Sequence, residues 1–447
     1  MKHTSQLIKS YRRKTIARWT LIIGLALLVA GGATYGYMRF GPHLASSVQL
    51  IPGIKLASKP EIKTGKIIEE QVPVTYSTEE TKKLIHETNK QFNLPVGGGI
   101  TKQLIRYNSS DGGDTNVPVY ARVYRPASVP DGKTLPILAF APGTTGIDDH
   151  CAASLEVAAK SNWANYDSLL AAYASQGYVV VTTDYEGMRD PGRLHHYMVG
   201  ELEGRALLDG VRSLKNLKNT KNVINTDKIT LAGYSQGGHA AYWADKIAPE
   251  YAKELNLRGV VGFGPVSSVK ETWADVTRGA NINWFGPFVL TSYSDYYKQN
   301  YMAGDILQDK WIGSLNADVA KNCIDTVISH WGKKPDLVYK AQFLEALKNN
   351  SLSQAGFSDL ASDLDKNELG NASTDTAKLI NQGDKDNVIL PRQSTAFRDR
   401  LCAAGNGSVI YKAYPATHYN TMVISFNDTL AWLNQVSAGQ KLLSSCK

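Results

Sequence analysis

Ser235 stands between two glycines in Gly233-Tyr234-Ser235-Gln236-Gly237, directly after the apolar run Ile229 to Ala232 and ahead of an apolar-periodic segment reaching Asp245. A hydroxyl at the apex of a sharp strand-to-helix turn suits nucleophilic acyl chemistry. The flanking glycines let strand and helix pass closely, Oγ is left exposed, and the N–H of Gln236 opens a helix where it can donate to a developing oxyanion. The five-residue pattern alone is weak, because an ordinary turn serine also satisfies it. Its setting between a strand and a helix is what raises it. A serine hydroxyl is inert at its own pKa, so the chemistry also needs a base within hydrogen-bond reach and an acid that orients the base.

Chain order selects those partners. In this strand-turn-helix class the acid and then the histidine follow the serine, each on a loop after a late strand. Of nine histidines, only His330 and His418 lie downstream of the nucleophile helix. His418 directly follows the strand-like Ser408 to Tyr414, whereas His330 falls in a region without strands, so His418 is the expected base. His239, four residues past Ser235 on the same helix, projects from the helix side and is expected to pack. After the strand-like Ala377 to Gln382, Gly383-Asp384-Lys385-Asp386 offers two carboxylates. Asp386 is the expected acid, Asp384 the alternative, and the other of the two a solvated turn aspartate. The second oxyanion donor is expected from Gly143-Thr144-Thr145-Gly146, through Thr144 or Thr145. No Cys/His grouping has metal-ligand spacing, and neither a metal nor a cofactor is expected.

Such groups converge only if a sheet carries them. Leu135 to Ala141 is a nearly continuous apolar run, as in a strand buried on both faces of a mostly parallel sheet. It is followed by a helix-like Tyr166 to Gly177, a strand at Tyr178 to Thr182, a helix at Leu202 to Leu217, the Ser235 strand and helix, and a strand at Leu257 to Gly264. Strands alternating with helices predict a mostly parallel, doubly wound α/β sheet with right-handed crossovers. Upstream, a strand is expected at Lys66 to Thr75, a helix at Thr78 to Phe92, and a hairpin of Ile100 to Tyr107 with Pro118 to Tyr124 around the polar loop Asn108 to Asn116. The rhythm lapses between Val266 and Asp375, where Trp273, Trp284, Phe285, Phe288, Tyr293, Tyr296, Tyr297, Trp311 and Trp331 are dense. This reads as a helical insertion over the sheet's carboxyl edge, most of its aromatics forming its own core and some facing the site. A helix near Gln393 to Ala403 and a last helix at Thr421 to Val436 complete the pattern.

The expected organisation is a basic cytoplasmic N-terminus at 1–18, a membrane span or cleavable signal segment at 19–38, and a Pro/Gly linker at 39–64. The sheet core follows at 65–265 and 376–447, with the helical cap at 266–375. Trp19 to Met38 has the length of a membrane span, and the basic residues before it predict that everything downstream is translocated. The competing reading is a cleavable signal, since Gly31 and Ala33 offer a small-x-small cleavage site. The remainder is therefore expected outside the cytoplasm, anchored by this segment or released after its cleavage.

With 447 residues, 43% of them hydrophobic, the chain can bury a large core, and its net charge of +8 is modest for this length. Lacking a basic stripe interleaved with aromatics, it is not expected to bind nucleic acid. The four cysteines, Cys151, Cys323, Cys402 and Cys446, are an even number in a chain read as exported, so two disulfides are expected, with three pairings possible.

Several long segments resemble the secretory lipases typified by the lipase A of Candida and their bacterial relatives. They are FAPGTTGIDDHCAAS, DYEGMRDPGRLHHYMVGELEGRALLDGVRSLKNL, AGYSQGGHAAYWADKIAPEYAKELNLRGVVGFGP, GDKDNVILP and THYNT, and the likeness runs from Gly65 to Val436. It implies an α/β-hydrolase fold with a helical cap, a Ser235, Asp386, His418 triad, a Cys151–Cys323 disulfide tying the oxyanion loop to the cap, and a Cys402–Cys446 disulfide near the C-terminus. Where that family reads His-Gly-Thr-Thr-Gly this chain has Pro142, which offers no N–H. The expected activity is hydrolysis of carboxylic esters, acylglycerols or other acyl esters, by a monomer through an acyl-enzyme. The alternatives are a short-chain esterase or peptidase of the same fold, or a non-catalytic lipid-binding module.

Overall fold

The computed structural model describes residues 63–88, 93–113, 115–156, 163–280, 282–370 and 372–446. The expected N-terminal tail, membrane or signal segment, and nearly all of the linker lie outside these residues. Among the described residues no helix is long and apolar enough to cross a membrane.

The strands are β1 (Ile67–Glu70), β2 (Val74–Tyr76), β3 (Ile100–Ser110), β4 (Asn116–Pro126), β5 (Leu135–Ala141), β6 (Val179–Thr183), β7 (Ile224–Tyr234), β8 (Leu257–Phe263), β9 (Ala377–Gly383) and β10 (Val409–Tyr414). They form one sheet in the order β1-β3-β4-β6-β5-β7-β8-β9-β10, with β2 also paired to β3. From β6 across to β10 every pairing is parallel, while β1, β2, β3 and β4 pair antiparallel, so the sheet is mixed.

β5 shows why this half of the sheet is covered on both sides. Its Ile137, Ala139 and Ala141 pack with Leu207, Leu208 and Val211 of α3 (Gly200–Leu214) and Ala240, Ala241 and Ala244 of α4 (Gln236–Tyr251). Alternate residues Leu138 and Phe140 pack with Leu169, Leu170 and Tyr173 of α2 (Tyr166–Ser175) and Phe426 and Leu433 of the C-terminal helix Phe426–Ser437. Each fully buried large apolar side chain contributes about 1.5–3 kcal/mol, so both helical layers are anchored on one strand. Among the described helices, α1 (Thr78–Thr88) precedes the β3–β4 hairpin.

Three expectations change in the structure. The stretch expected as one strand at 66–75 is two, β1 and β2, which pair with successive parts of β3; Pro73 between them has no N–H to give a ladder. The hairpin strands run further than their apolar alternation, to Ser110 paired with Asn116. There Ser109 donates to Asp209 and Arg205 donates to Ser110, which lets polar residues stay in a buried ladder. The last helix is interrupted at Ser425, giving a short turn Thr421–Ile424 before Phe426–Ser437.

Between β8 and β9 the regular structure of the described residues is helical, apart from one bridge joining Leu307 and Tyr339. It includes α5 (Phe285–Tyr296), α6 (Ile324–Trp331) and α7 (Ser358–Lys366). Trp273, Phe285, Phe288, Tyr293, Trp331, Tyr339 and Phe343 share a core of their own with Met198 and Leu202. At the other end of the chain, a disulfide joins Cys402 to Cys446. The final residues run along β10: Ser445 N–H donates to the Val409 carbonyl at 2.6 Å, and Tyr411 N–H donates to Ser445 Oγ at 3.1 Å.

Candidate active site

β7 ends at Tyr234 and α4 begins at Gln236, leaving Ser235 alone at the turn with φ 55° and ψ −114°. This is a conformation that a residue with a side chain adopts only under constraint. Packing supplies the constraint. A Cβ on Gly233 would lie 1.9 Å from the Gly237 carbonyl oxygen, and one on Gly237 would lie 1.8 Å from the Ala141 carbonyl oxygen. Only glycine fits at either place. Ser235 N–H donates to the Phe263 carbonyl at 3.0 Å, which ties the turn to β8.

His418 sits on the loop after β10, and its Nε2 is 3.0 Å from Ser235 Oγ. On the other side of the ring, Nδ1 is 2.7 Å from Asp386 Oδ2. Asp386 follows β9 and is buried; its Oδ1 accepts the N–H groups of Val388 and Ile389, both at 2.9 Å, and Gln382 Nε2 donates to Oδ2 at 3.2 Å. Three donors thus hold one carboxylate toward one imidazole. Asp384 is exposed, and its N–H donates to the Tyr414 carbonyl, so the structure brings Asp386 and not Asp384 to His418. His330 lies on α6, beside Asp318. His239 is fully buried, with Nε2 2.7 Å from the Asn367 carbonyl oxygen.

The loop after β5 reaches the same place from the neighbouring strand. Gly143 N–H donates to Tyr166 Oη at 2.7 Å, and Tyr185 Oη donates to the Pro142 carbonyl at 2.6 Å. Pro142 has no N–H and that of Gly143 is taken, which moves the choice of a donor to the threonines. Thr144 lines the cavity over Ser235, whereas Thr145 is buried and its carbonyl accepts the N–H of Ile324 at 2.9 Å. Gln236, as the first residue of α4, has an N–H without an intrahelical acceptor. The Cys151–Cys323 disulfide bonds this loop to the start of α6, and Ile324 and Ile328 just beyond it also line the cavity.

That cavity, of about 190 Å³, contains Ser235 and His418 and is walled by Tyr166, Tyr234, Trp284, Ile324 and Val388 among others. Its walls are mostly apolar. Of the aromatics between β8 and β9, Trp284 faces the cavity, while Trp273, Phe288 and Tyr293 are interior to the helical core. Among the described residues the one grouping of metal-ligand atoms is His150, Cys151 and Cys323, and both sulfurs are in the disulfide.

One part of the surroundings had no sequence signal. Gln236 donates from Nε2 to Glu203 Oε1 at 2.7 Å and approaches His195 Nε2 at 3.0 Å, so the residue after the serine is fastened by two residues more than thirty positions earlier.

Known proteins bear on this site. A family model described as secretory lipase matches residues 159–445. Lipase A of Moesziomyces aphidis is 39% identical over 119 residues, which are 27% of this chain and 23% of that protein. Lipase 4 of Candida albicans is 36% identical over 288 residues, 62% of this chain and 60% of that one. The matched part thus spans less than two thirds of these relatives' length. Among solved structures, a ligand-bound form of the rice cell wall degrading esterase LipA from Xanthomonas oryzae superposes with a TM-score of 0.71 at 19% identity, covering 85% of this chain and 100% of that one. Lipase A of Candida antarctica gives a TM-score of 0.64 at 20% identity, covering 86% and 84%. At such identities the likeness establishes a shared fold.

Proposed function

The chain belongs to the secretory lipase family, and from that premise we propose that it is a serine hydrolase of carboxylic esters working through an acyl-enzyme. The observation that carries the reading is the aligned pair of contacts, Ser235 Oγ to His418 Nε2 at 3.0 Å and His418 Nδ1 to Asp386 Oδ2 at 2.7 Å. With Nδ1–H donated to the carboxylate, Nε2 carries the lone pair that accepts the serine proton.

Ser235 Oγ attacks the ester carbonyl carbon as His418 takes its proton, and the carbonyl oxygen becomes an anion facing the N–H groups of Gln236 and Thr144. Collapse breaks the bond to the alcohol oxygen, which leaves with the proton from His418. Water then repeats the sequence on the acyl-enzyme, releasing the acid and restoring Ser235. Asp386 fixes the imidazole tautomer and stabilises the cation that forms on it. None of these steps requires a metal or cofactor.

The apolar walls favour an acyl chain over a charged group. The cavity, of about 190 Å³ and open on one side, has room at Ser235 for the acyl carbons next to the reacting carbonyl. The helices between β8 and β9 act as a cap, and the two disulfides support a place in an oxidising, extracytoplasmic compartment.

Turnover of nitrophenyl esters from acetate to palmitate, by the wild type and by Ser235→Ala and His418→Ala, tests the reading. Loss of turnover in both variants is expected, and the wild-type series assigns the acyl length. Near wild-type turnover by either variant refutes the mechanism, and a peptide amide cleaved faster than any ester replaces the substrate class.

A further inference from the structure

The segment His195 to Glu203 supplies no atom to the proton transfer, yet it touches both Thr144 and Gln236, the residues proposed to donate their N–H groups to the nascent anion. Tyr197 Oη lies 2.8 Å from Thr144 Oγ1, and the Tyr197 ring is held edge-on by Phe285 and Phe288, centroids 5.8 Å away in each case. On the opposite side of the serine, the Gln236 side-chain amide is shared between Glu203 Oε1 and His195 Nε2. Burial lowers the pKa of His195 below the ordinary histidine value, against the pull of Glu186 and Glu203. Nδ1 lies 3.1 Å from the Glu186 carbonyl oxygen and must donate there, which leaves Nε2 as the acceptor that the Gln236 amide requires. Glu203 Oε1 also accepts the Met198 N–H at 3.0 Å, and its Oε2 lies 3.4 Å from His239 Nδ1. Glu203 and His195 are both wholly buried.

We infer that Tyr197 and Glu203 are positioning residues for the oxyanion hole, Tyr197 holding the Thr144 loop and Glu203, together with His195, holding Gln236. This rests on the reading of Thr144 and Gln236 as the two N–H sources. Such donors stabilise a developing charge only when their geometry is fixed beforehand, since reorganising them during the reaction forfeits the gain. The two sources belong to different loops, after β5 and after β7. A single short segment that packs against both fixes their separation. Gln236 has a side chain that reaches away from the reacting atoms into a buried carboxyl, a costly arrangement unless that carboxyl is well paired.

Tyr197→Phe removes one hydroxyl and keeps the ring packing. Glu203→Gln keeps the shape and one acceptor, and Glu203→Leu removes the acceptor. For Tyr197→Phe, kcat is expected to fall about tenfold with KM within about twofold, since the lost interaction matters only in the transition state. Glu203→Gln should fall less than Glu203→Leu, and inhibition by butylboronic acid, which forms a tetrahedral anion on the serine, should weaken in parallel with kcat/KM. Should Glu203→Leu fail to fold, Tyr197→Phe and Glu203→Gln still decide. Unchanged kcat and unchanged boronate inhibition in both, with Ser235→Ala inactive, overturn the positioning role and leave the hydrolase reading standing. Loss of kcat that tracks a lowered melting temperature, with boronate inhibition intact, assigns the pair to the fold and also overturns it. An active Ser235→Ala removes the hydrolase reading and this inference together.

Discussion

The main-chain N–H of Ile324 donates to the carbonyl of Thr145 at 2.9 Å, and Cys323, the residue before it, is bonded to Cys151. The loop beside the serine and the helix that walls the cavity are therefore fixed to each other twice, once covalently and once through the main chain.

Chain entropy alone gives similar worth to the two disulfides. A closed loop of 172 residues yields about 5 kcal/mol and one of 44 residues about 4 kcal/mol, both as upper figures. Stability does not separate them well, but activity should. Cys151→Ala/Cys323→Ala is expected to lose kcat/KM about tenfold or more at temperatures where it is still folded, whereas Cys402→Ala/Cys446→Ala should keep turnover near wild type despite a lower melting temperature. Steady-state kinetics beside thermal melts would check this, and equal kinetic losses would contradict it.

Gly264 lies between β8 and the acid-base pair with φ 50°, and a Cβ there would sit 3.0 Å from Asp386 Oδ2 and 3.1 Å from His418 Nδ1. Gly264→Ala must tolerate a left-handed backbone, costing about 1–2 kcal/mol, and must also displace the pair. A loss of kcat larger than that stability cost explains is expected, and kcat measured alongside the melting midpoint would show it.

Replacing Asp386 by asparagine leaves the volume unchanged but presents an amide to Nδ1 of His418. The imidazole then favours the tautomer with a proton on Nε2, where it cannot accept from Ser235. A fall in kcat of about 10⁴ is expected from the same substitution in serine hydrolases of this logic. A fall below tenfold would argue that Asp386 is not the orienting acid.

His196 joins the loop after β6 to α5, with Nδ1 3.1 Å from Glu186 Oε1 and Nε2 2.9 Å from Asp295 Oδ2, while Lys298 donates to Asp295 Oδ1. Burial works against a charge on His196, but the two carboxylates outweigh it and raise the pKa above the usual histidine value. Asp295 is lowered chiefly by its hydrogen bond to His196, and Glu186 is lowered on balance because that histidine overcomes the penalty of burial. A raised histidine gives stability that is complete below its unfolded value and disappears as pH climbs through the folded one. Depressed carboxyls give stability that is complete above their unfolded values and disappears as pH falls through the folded ones. The link is therefore strongest between about pH 4.3 and about pH 6.5. Denaturation midpoints should decline in the wild type as pH rises beyond this window and decline less in His196→Gln; parallel profiles would remove the assignment.

What the sequence makes legible here has steric or chain-order causes. Gly233 and Gly237 announce the turn because a side chain at either would strike main-chain oxygen, and His418 stands out because few histidines follow the serine. Asp384 and Asp386 are equivalent as residue types on one turn. Burial separates them, and burial depends on where Val388 and Ile389 fold back. Thr144 and Thr145 differ for a similar reason, since Thr144 lines the cavity and Thr145 is buried. The clamp on Gln236 by Glu203 and His195 is illegible locally, because its partners meet only when α3 packs on α4. The division of the first strand at Pro73 was legible in principle from proline's missing N–H.

The tail from Ser444 to Cys446 lies along the outer margin of β10, with Ser445 N–H on the Val409 carbonyl and the last cysteine bonded to Cys402. A terminal strand of a sheet ordinarily displays main-chain groups that can recruit a strand from another molecule, the first step of aggregation. Here residues 444–446 of the same chain take up part of that template. A protease cut before Ser444, once the Cys402–Cys446 bond was also reduced, would free those groups for other copies, making the trimmed form more prone to precipitate at high concentration.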